Sequence, residues 1–442
     1  MERRQQLLLL KKKLLLLIIL KRQDRRRRRW WVRPVFMHRK EEGLYYTAMR
    51  RMREGDHDFF FKFYRMTPQM FDALLSFVVD DLKREYVVRE PLEPGERLAI
   101  TLSYLASGQE VKDVAMAYRV GIETARLCIH FCCRVIWARL KDRFMKVPSE
   151  ADWTEIAQGF ASQWQFPNCL GAVDGKHVAI TAPANSGSLY FNYKSTFSIV
   201  LMAAVDSNYQ YTIIDVGAQG RQSDGGILKN SEFGKALASG TLGTPSASCL
   251  PGTRTAAPYA FVGDEAFQLR KDFMRPFPAK QLTDERRVFN YRLSRARRCV
   301  ENAFGITAAR WRVLLRTINL HPTNVDYVIK AACILHNFIM KLNAQTHGYV
   351  DREDSFGNVI PGHWRQSVEG EARDGSQSNY FSLASTHARN FPTEAADARN
   401  IFTAYFCSTF GEVAWQWQQP GVSKDVALKH LQDEQLLPLI RK

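Results

Sequence analysis

Paired cysteines, long apolar runs and acidic residues near the amino terminus are all scarce in this sequence. Its eight cysteines stand at positions 128, 132, 133, 169, 249, 299, 333 and 407, with none of the C-x-x-C pairs of a zinc module. Cys128, Cys132 and Cys133 fall in an apolar helical stretch, where cysteine acts as a small buried hydrophobe. That usage fits a reducing compartment, cytosol or nucleus. Near the start, "LLLLKKKLLLLIIL" offers seven uninterrupted apolar residues, Leu14 to Leu20, against the roughly 20 that span a bilayer. No small-residue cleavage site follows, so neither a signal peptide nor a membrane partner is expected.

What is abundant is positive charge, and it is unevenly placed. Residues 1–40 carry 15 lysines and arginines against 2 acids, a local +13 out of a formal +17. The stretch "KRQDRRRRRWWVR" reads as a nuclear localisation signal, a contact to DNA backbone or a solvated, disordered tail. The 442 residues are 45% hydrophobic and 12% aromatic, enough for two or three domains around at least one large core.

Composition divides the chain into a basic disordered arm (1–40), a helical region (59–145), a strand-and-helix region (166–340), a polar linker (341–400) and a C-terminal segment (401–442). Thr67 and Pro68 mark a helix start. Val111 to Tyr118, then "RVG", then Ile122 to Ile136 has the proportions of a helix-turn-helix. Glu123, Thr124 and Arg126 would then open a recognition helix; the alternative is a bundle that only supports the next domain. From Phe166, "CLGAVDGKHVAIT", "FSIVLMAAV", "YQYTIIDVG" and "PYAFVGD" read as four strands. The second and third are joined by a turn at Asp206, Ser207 and Asn208. A long helix, "RRVFNYRLSRARRCVENAFGITAARWRVLL", follows. That order predicts an α/β fold with a mixed sheet.

Within the first strand Asp174 needs a reason, because an ionised carboxylate is expensive to bury unpaired. Asp264 lies at the carboxyl end of the fourth strand, where ligand sites of open α/β sheets gather. Glu301 borders the apolar stripe Leu293, Ala296, Val300 and Phe304 of the long helix, which would aim it at the strand aspartates. Asp224 opens a helix after the third strand and is a fourth candidate. Hard oxygen donors of this kind suit Mg²⁺ or Mn²⁺, and two such ions about 3.5 to 4 Å apart serve phosphodiester cleavage. Each acid also has a plainer role: Asp174 pairing with Lys176 or His177, Asp264 and Asp224 capping helices, Glu301 bridging Arg297 or Arg298. Arginines crowd Glu301, and an arginine-dense helix beside an acidic site looks like a phosphate clamp. Arg295, Arg297 and Arg298 are its candidate DNA-binding residues, with Lys194 and Arg126 elsewhere.

At these residues the sequence resembles PIF/Harbinger-type DDE transposases, including the Harbinger transposase-derived nucleases. The resemblance rests on "GAVDGKHVAI", "FNYKSTFSIVLMAAVD", "DVGAQGRQSDGGILKNS", "FVGDEAF", "RRCVENAFGI" and "AACILHNFIM", from about Thr67 to Met340. It implies an RNase H-like catalytic core over 166–340 behind an all-α, helix-turn-helix-like region. Asp174, Asp264 and Glu301 would be the DDE metal ligands and Asp224 a further metal-site residue. It also implies strand nicking at transposon ends by water, then attack of the 3′-hydroxyl on target DNA. A Myb-like DNA-binding accessory protein, nuclear localisation with the cytoplasm as second compartment, and a homo-oligomer belong to the same expectation. The alternative is a domesticated DNA-binding or adaptor protein with a silent site. The Leu/Lys/Arg-rich arm matches no block of that family.

Overall fold

A computed structural model describes all residues except 1, 24–29, 31, 86–89, 222–223, 343–347, 355, 367–378, 383–390 and 441–442. The centre is a mixed sheet whose strands we number β1 (Cys169–Ala179), β2 (Ser198–Val205), β3 (Tyr211–Gln219), β4 (Ala260–Val262), β5 (Phe273–Met274) and β6 (Tyr380–Ser382). Their order is β3-β2-β1-β4-β5. The β1–β2 and β2–β3 pairs are antiparallel, and β1–β4 and β4–β5 parallel. The hairpin forms as the sequence predicts: Asp206 Oδ1 accepts from the Asn208 and Gln210 amides at 2.8 and 2.9 Å, the side-chain turn that aspartate favours.

Both faces of the sheet are covered, which is why β2 is buried at every residue. One face packs on Trp153, Ile227, Phe233 and Phe267; the other meets the long helix Asp284–Arg310, whose Leu293, Ala296, Val300 and Phe304 are all buried. A register shift between Cys169 and Gly171 re-phases β1. Beyond it Ala172 and Val178 join the core on the helix side and Val173 the opposite one.

The helical region does not stand apart. One continuous apolar core runs from Met49 through the helices Pro68–Leu82, Pro94–Ser107 and Ile122–Phe144 into the sheet and the helix Pro322–Leu342. Ile122–Phe144 lies along Pro322–Leu342, so this region supports the sheet domain whatever else it does. The predicted turn is present between Val111–Ala117 and Ile122–Phe144. Thr67 caps Pro68–Leu82 by accepting from the Met70 amide at 3.3 Å.

Three expectations are corrected. The arm 1–40 is not wholly irregular: Glu2–Gln23 is helical, with Leu7 to Leu10 and Leu14 to Leu17 exposed, while much of the arginine run lies outside the described residues. Among the described residues no helix is long and apolar enough to cross a membrane. The segment 341–400 is more than a linker. It places β6 on β1 and seats Trp364 against Gly305, where a methyl group would come within 2.4 Å of the indole. The boundary at 401 cuts the helix Thr393–Cys407, which buries Phe402 and Phe406 beside Phe166 and Phe289.

Candidate active site

Strand alternation puts Asp174 and Lys176 on the same face of β1 as Ala172 and Val178, the face that meets the long helix. Asp174 is only 5% exposed. β4 pairs with β1 up to Ala172, and β6 pairs with it from Lys176 onward. Among the described residues, 173–175 therefore have no partner strand on that edge, and the sheet is split where Asp174 sits. Asp264 follows β4 by two residues at the mouth of this split. Gly263 gets it there, because any side chain at that position would collide with Phe273 and Phe267.

The charges of these groups feel one another. Burial pushes the Asp174 carboxyl up to about 6, against the pull of Lys176 and Arg297 and with a push from the Asp264 charge. Burial also raises Asp264, opposed by Arg297 and reinforced by Glu265 and Glu301. Asp174, Asp264 and Glu301 thus form one electrostatic group, with Arg297 shared among them. Lys176 Nζ is 3.9 Å from Asp174 Oδ2 and donates to Ser382 Oγ at 2.6 Å.

The plainer roles are present alongside. Asp264 Oδ1 accepts from the Ala266 amide at 3.0 Å, and Arg297 Nη2 donates to Glu301 Oε1 at 3.0 Å. His177 does not pair with Asp174: it points to the other face, shares a hydrogen bond with Ser198 Oγ at 2.8 Å and stacks on Phe381. Burial, with the Lys194 charge, holds its imidazole down to about 4, so it is neutral at pH 7. Asp224 does open the helix Asp224–Asn230, but its side chain lies outside the described residues.

The oxygen donors suit a hard dication, which takes one or two carboxylates and fills the rest of its shell with water and phosphate. Asp174 and Asp264 are the two carboxylates here that could supply such a pair. Among the described residues, however, no three metal-ligating side chains close into a ready cage; Glu301 is paired with Arg297 instead.

The arginine clamp is the part of the site that the sequence misplaced. Arg295 is 1% exposed: it pairs with Glu353 and donates to Gln165 Oε1 at 2.7 Å. Arg298 reaches the same Glu353 at 2.6 Å. A guanidinium that has lost its water must be met by a carboxylate, and Glu353 lies in the supposed linker, invisible to a local reading. Lys194 is exposed, its Nζ 4.3 Å from the Phe381 ring centre. Arg126 is half-buried and paired with Glu123, far along the chain from the acids.

β6 is the functional element that sequence reasoning missed. It brings Ser382 to Lys176 and Phe381 to His177 across the open edge of β1. The alternation in "NYFSL" between polar runs was its signal.

Residues 173–337 match the DDE superfamily endonuclease family. An ALP1-like protein of Arabidopsis thaliana is 26% identical over 58% of this chain and 63% of its own length. The match to antagonist of like heterochromatin protein 1 of the same plant is 25% identical over 65% of this chain and 74% of that protein. The candidate nuclease HARBI1 of Mus musculus is 23% identical over 71% of this chain and 84% of its own. No solved structure matches. The mixed sheet is consistent with a DDE nuclease fold, and the matched span covers both aspartates, the long helix and Glu301. Over residues 173–337 this chain is thus similar to the DDE superfamily endonucleases, and its relatives include the Harbinger-derived HARBI1 proteins.

Proposed function

We propose that the chain is a divalent-metal-dependent DNA endonuclease of the transposase type, with an RNase H-like core in which Asp174, Asp264 and Glu301 do the work. One observation carries the reading: a carboxylate buried in the central strand faces a second one at the mouth of a split in the sheet, with no hydrogen-bonding cation dedicated to either among the described residues. A fold does not keep such a pair for stability, because the desolvation of Asp174 works against it. The 3-2-1-4-5 strand order supports the core assignment.

When bound, Mg²⁺ or Mn²⁺ supplies Lewis-acid activation of the attacking oxygen and charge stabilisation at the leaving one. Asp174 and Asp264 would hold it with Glu301 completing the set, and Asp224, at the start of its helix, would be a further ligand. Lys176, anchored on Ser382, keeps the Asp174 carboxylate ionised and oriented. Exposed Lys194 and half-buried Arg126 contact the DNA backbone. Water attack nicks the strand, and the freed 3′-hydroxyl serves strand transfer at a target site. The basic arm directs the chain to the nucleus, a Myb-like protein assists recognition of the transposon ends, and the enzyme works as a homo-oligomer.

A second reading is favoured by the name of the plant relative, which speaks of a heterochromatin protein: a DNA-binding adaptor whose acidic site is silent. Supercoiled plasmid separates them. Parent protein with Mn²⁺ converts it to the nicked form, and Asp174→Ala, Asp264→Ala and Glu301→Ala each stop conversion while staying folded. If all three cut as well as the parent, the nuclease assignment to this site is lost.

A further inference from the structure

We propose that Arg297 is the resident counter-cation of the acidic site, and that it must release Glu301 before a divalent ion is fully held. The inference rests on the nuclease reading above. It concerns a residue that the sequence offered as a phosphate contact or as a helical bridge to Glu301.

The Arg297–Glu301 pair is unlike an ordinary surface pair on a helix. Such i,i+4 pairs usually have both ends in water and are worth little. Here the arginine side chain is 19% exposed and the glutamate 50%, so the cation is the deeper partner. Its Nε is buried without a hydrogen-bond acceptor. A guanidinium is drawn in this far because its charge faces Asp174 and Asp264, both of which it favours in the ionised form. One side chain therefore balances three carboxylates, helped by Lys176 at 3.9 Å from Asp174.

That position conflicts with a dication. A divalent ion among Asp174, Asp264 and Glu301 would sit beside a fixed positive charge, and Glu301 would have to serve both. Repulsion lowers ion affinity as long as the guanidinium stays. The geometry makes Arg297 a placeholder: it keeps the three acids from repelling one another and sets a threshold for loading.

The test is Mn²⁺ binding alone, without DNA, by calorimetry and by electron paramagnetic resonance of free Mn²⁺. The proteins are the full-length parent, Arg297→Gln, Arg297→Lys and Asp174→Asn. Arg297→Gln is expected to bind roughly tenfold more tightly, the effect of removing one charge from a partly buried site. Arg297→Lys, which keeps the charge, stays within about threefold of the parent. Asp174→Asn loses the tight site. If Arg297→Gln does not fold, Arg297→Met takes its place. Binding by the charge-deleted variant that is equal to the parent's, or weaker, overturns the placeholder role while leaving the metal site intact. Absence of Mn²⁺ binding in the parent and in the charge-deleted variant overturns the metal reading itself.

Discussion

Asn337 and Tyr211 hold each other through both ends of one side-chain amide. The Tyr211 backbone N–H donates to Asn337 Oδ1 at 2.9 Å, and Asn337 Nδ2 donates back to the Tyr211 carbonyl at 2.8 Å. The same Nδ2 reaches the Phe144 carbonyl at 2.8 Å. Beside it His336 Nε2 donates to the Tyr209 carbonyl at 2.7 Å, its imidazole held down to about 3 by burial and the Arg310 charge. The "LHN" block is thus a clamp that ties the helix Pro322–Leu342 to the β2–β3 hairpin and to the end of Ile122–Phe144. Asn337→Ala leaves an N–H and two carbonyls buried without this partner. It is expected to cost about 2 to 4 kcal/mol in urea unfolding, and a loss under about 0.5 kcal/mol would remove the clamp role.

Asp174 predicts a trade between stability and activity. Its folded value, about 6, lies above the ordinary 3.8. The ionised form is therefore penalised in the fold, and the penalty is complete only above about pH 6. Asp174→Asn should stop nicking and at the same time raise stability at pH 8 by on the order of 1 to 3 kcal/mol, with a smaller gain at pH 5. A variant that lost both activity and stability would point to a structural role.

Glu96 gives a second pH signature, away from the site. It is fully buried, bonded to Arg39 at 2.7 Å and to the Tyr46 hydroxyl at 3.2 Å. Burial pushes its carboxyl up to about 7 despite Arg39. Its folded value exceeds the unfolded one, so its contribution is whole at low pH and is lost as pH rises through about 7. Glu96→Gln should flatten the thermal stability profile between about pH 5 and 8; an unchanged slope would contradict this assignment.

Glu353 should behave as a core residue although it lies in a segment of linker-like composition. It meets both Arg295, which is 1% exposed, and Arg298. Glu353→Ala strands a buried guanidinium, and removing one partner of a buried pair costs about 3 to 5 kcal/mol. Chemical denaturation checks it. A loss below about 1 kcal/mol would mean that water reaches Arg295.

The sheet and its helix were legible because their signals are local. Short apolar runs wrote β1 and β2, the Asp206 turn wrote the hairpin, and the stripe Leu293, Ala296, Val300 and Phe304 wrote the buried face of Asp284–Arg310. Asp174 was conspicuous for the same reason, as a charge inside an apolar strand. Arg295 was misread because its partner is 58 residues away in sequence. Tyr380–Ser382 was missed because a three-residue strand carries too little pattern to stand out from polar surroundings.

Residue type and periodicity alone thus determined which acids this chain offers, on which elements and facing which core, since side-chain direction follows from backbone geometry within a few residues. Only the tertiary structure decided how the site is wired: that β1 loses its neighbour strand around Asp174, that β6 returns beside it, and that Arg297 rather than Arg295 faces the carboxylates. Those choices depend on which distant groups share a desolvated space, and charge pairing across such a space has no period along the chain.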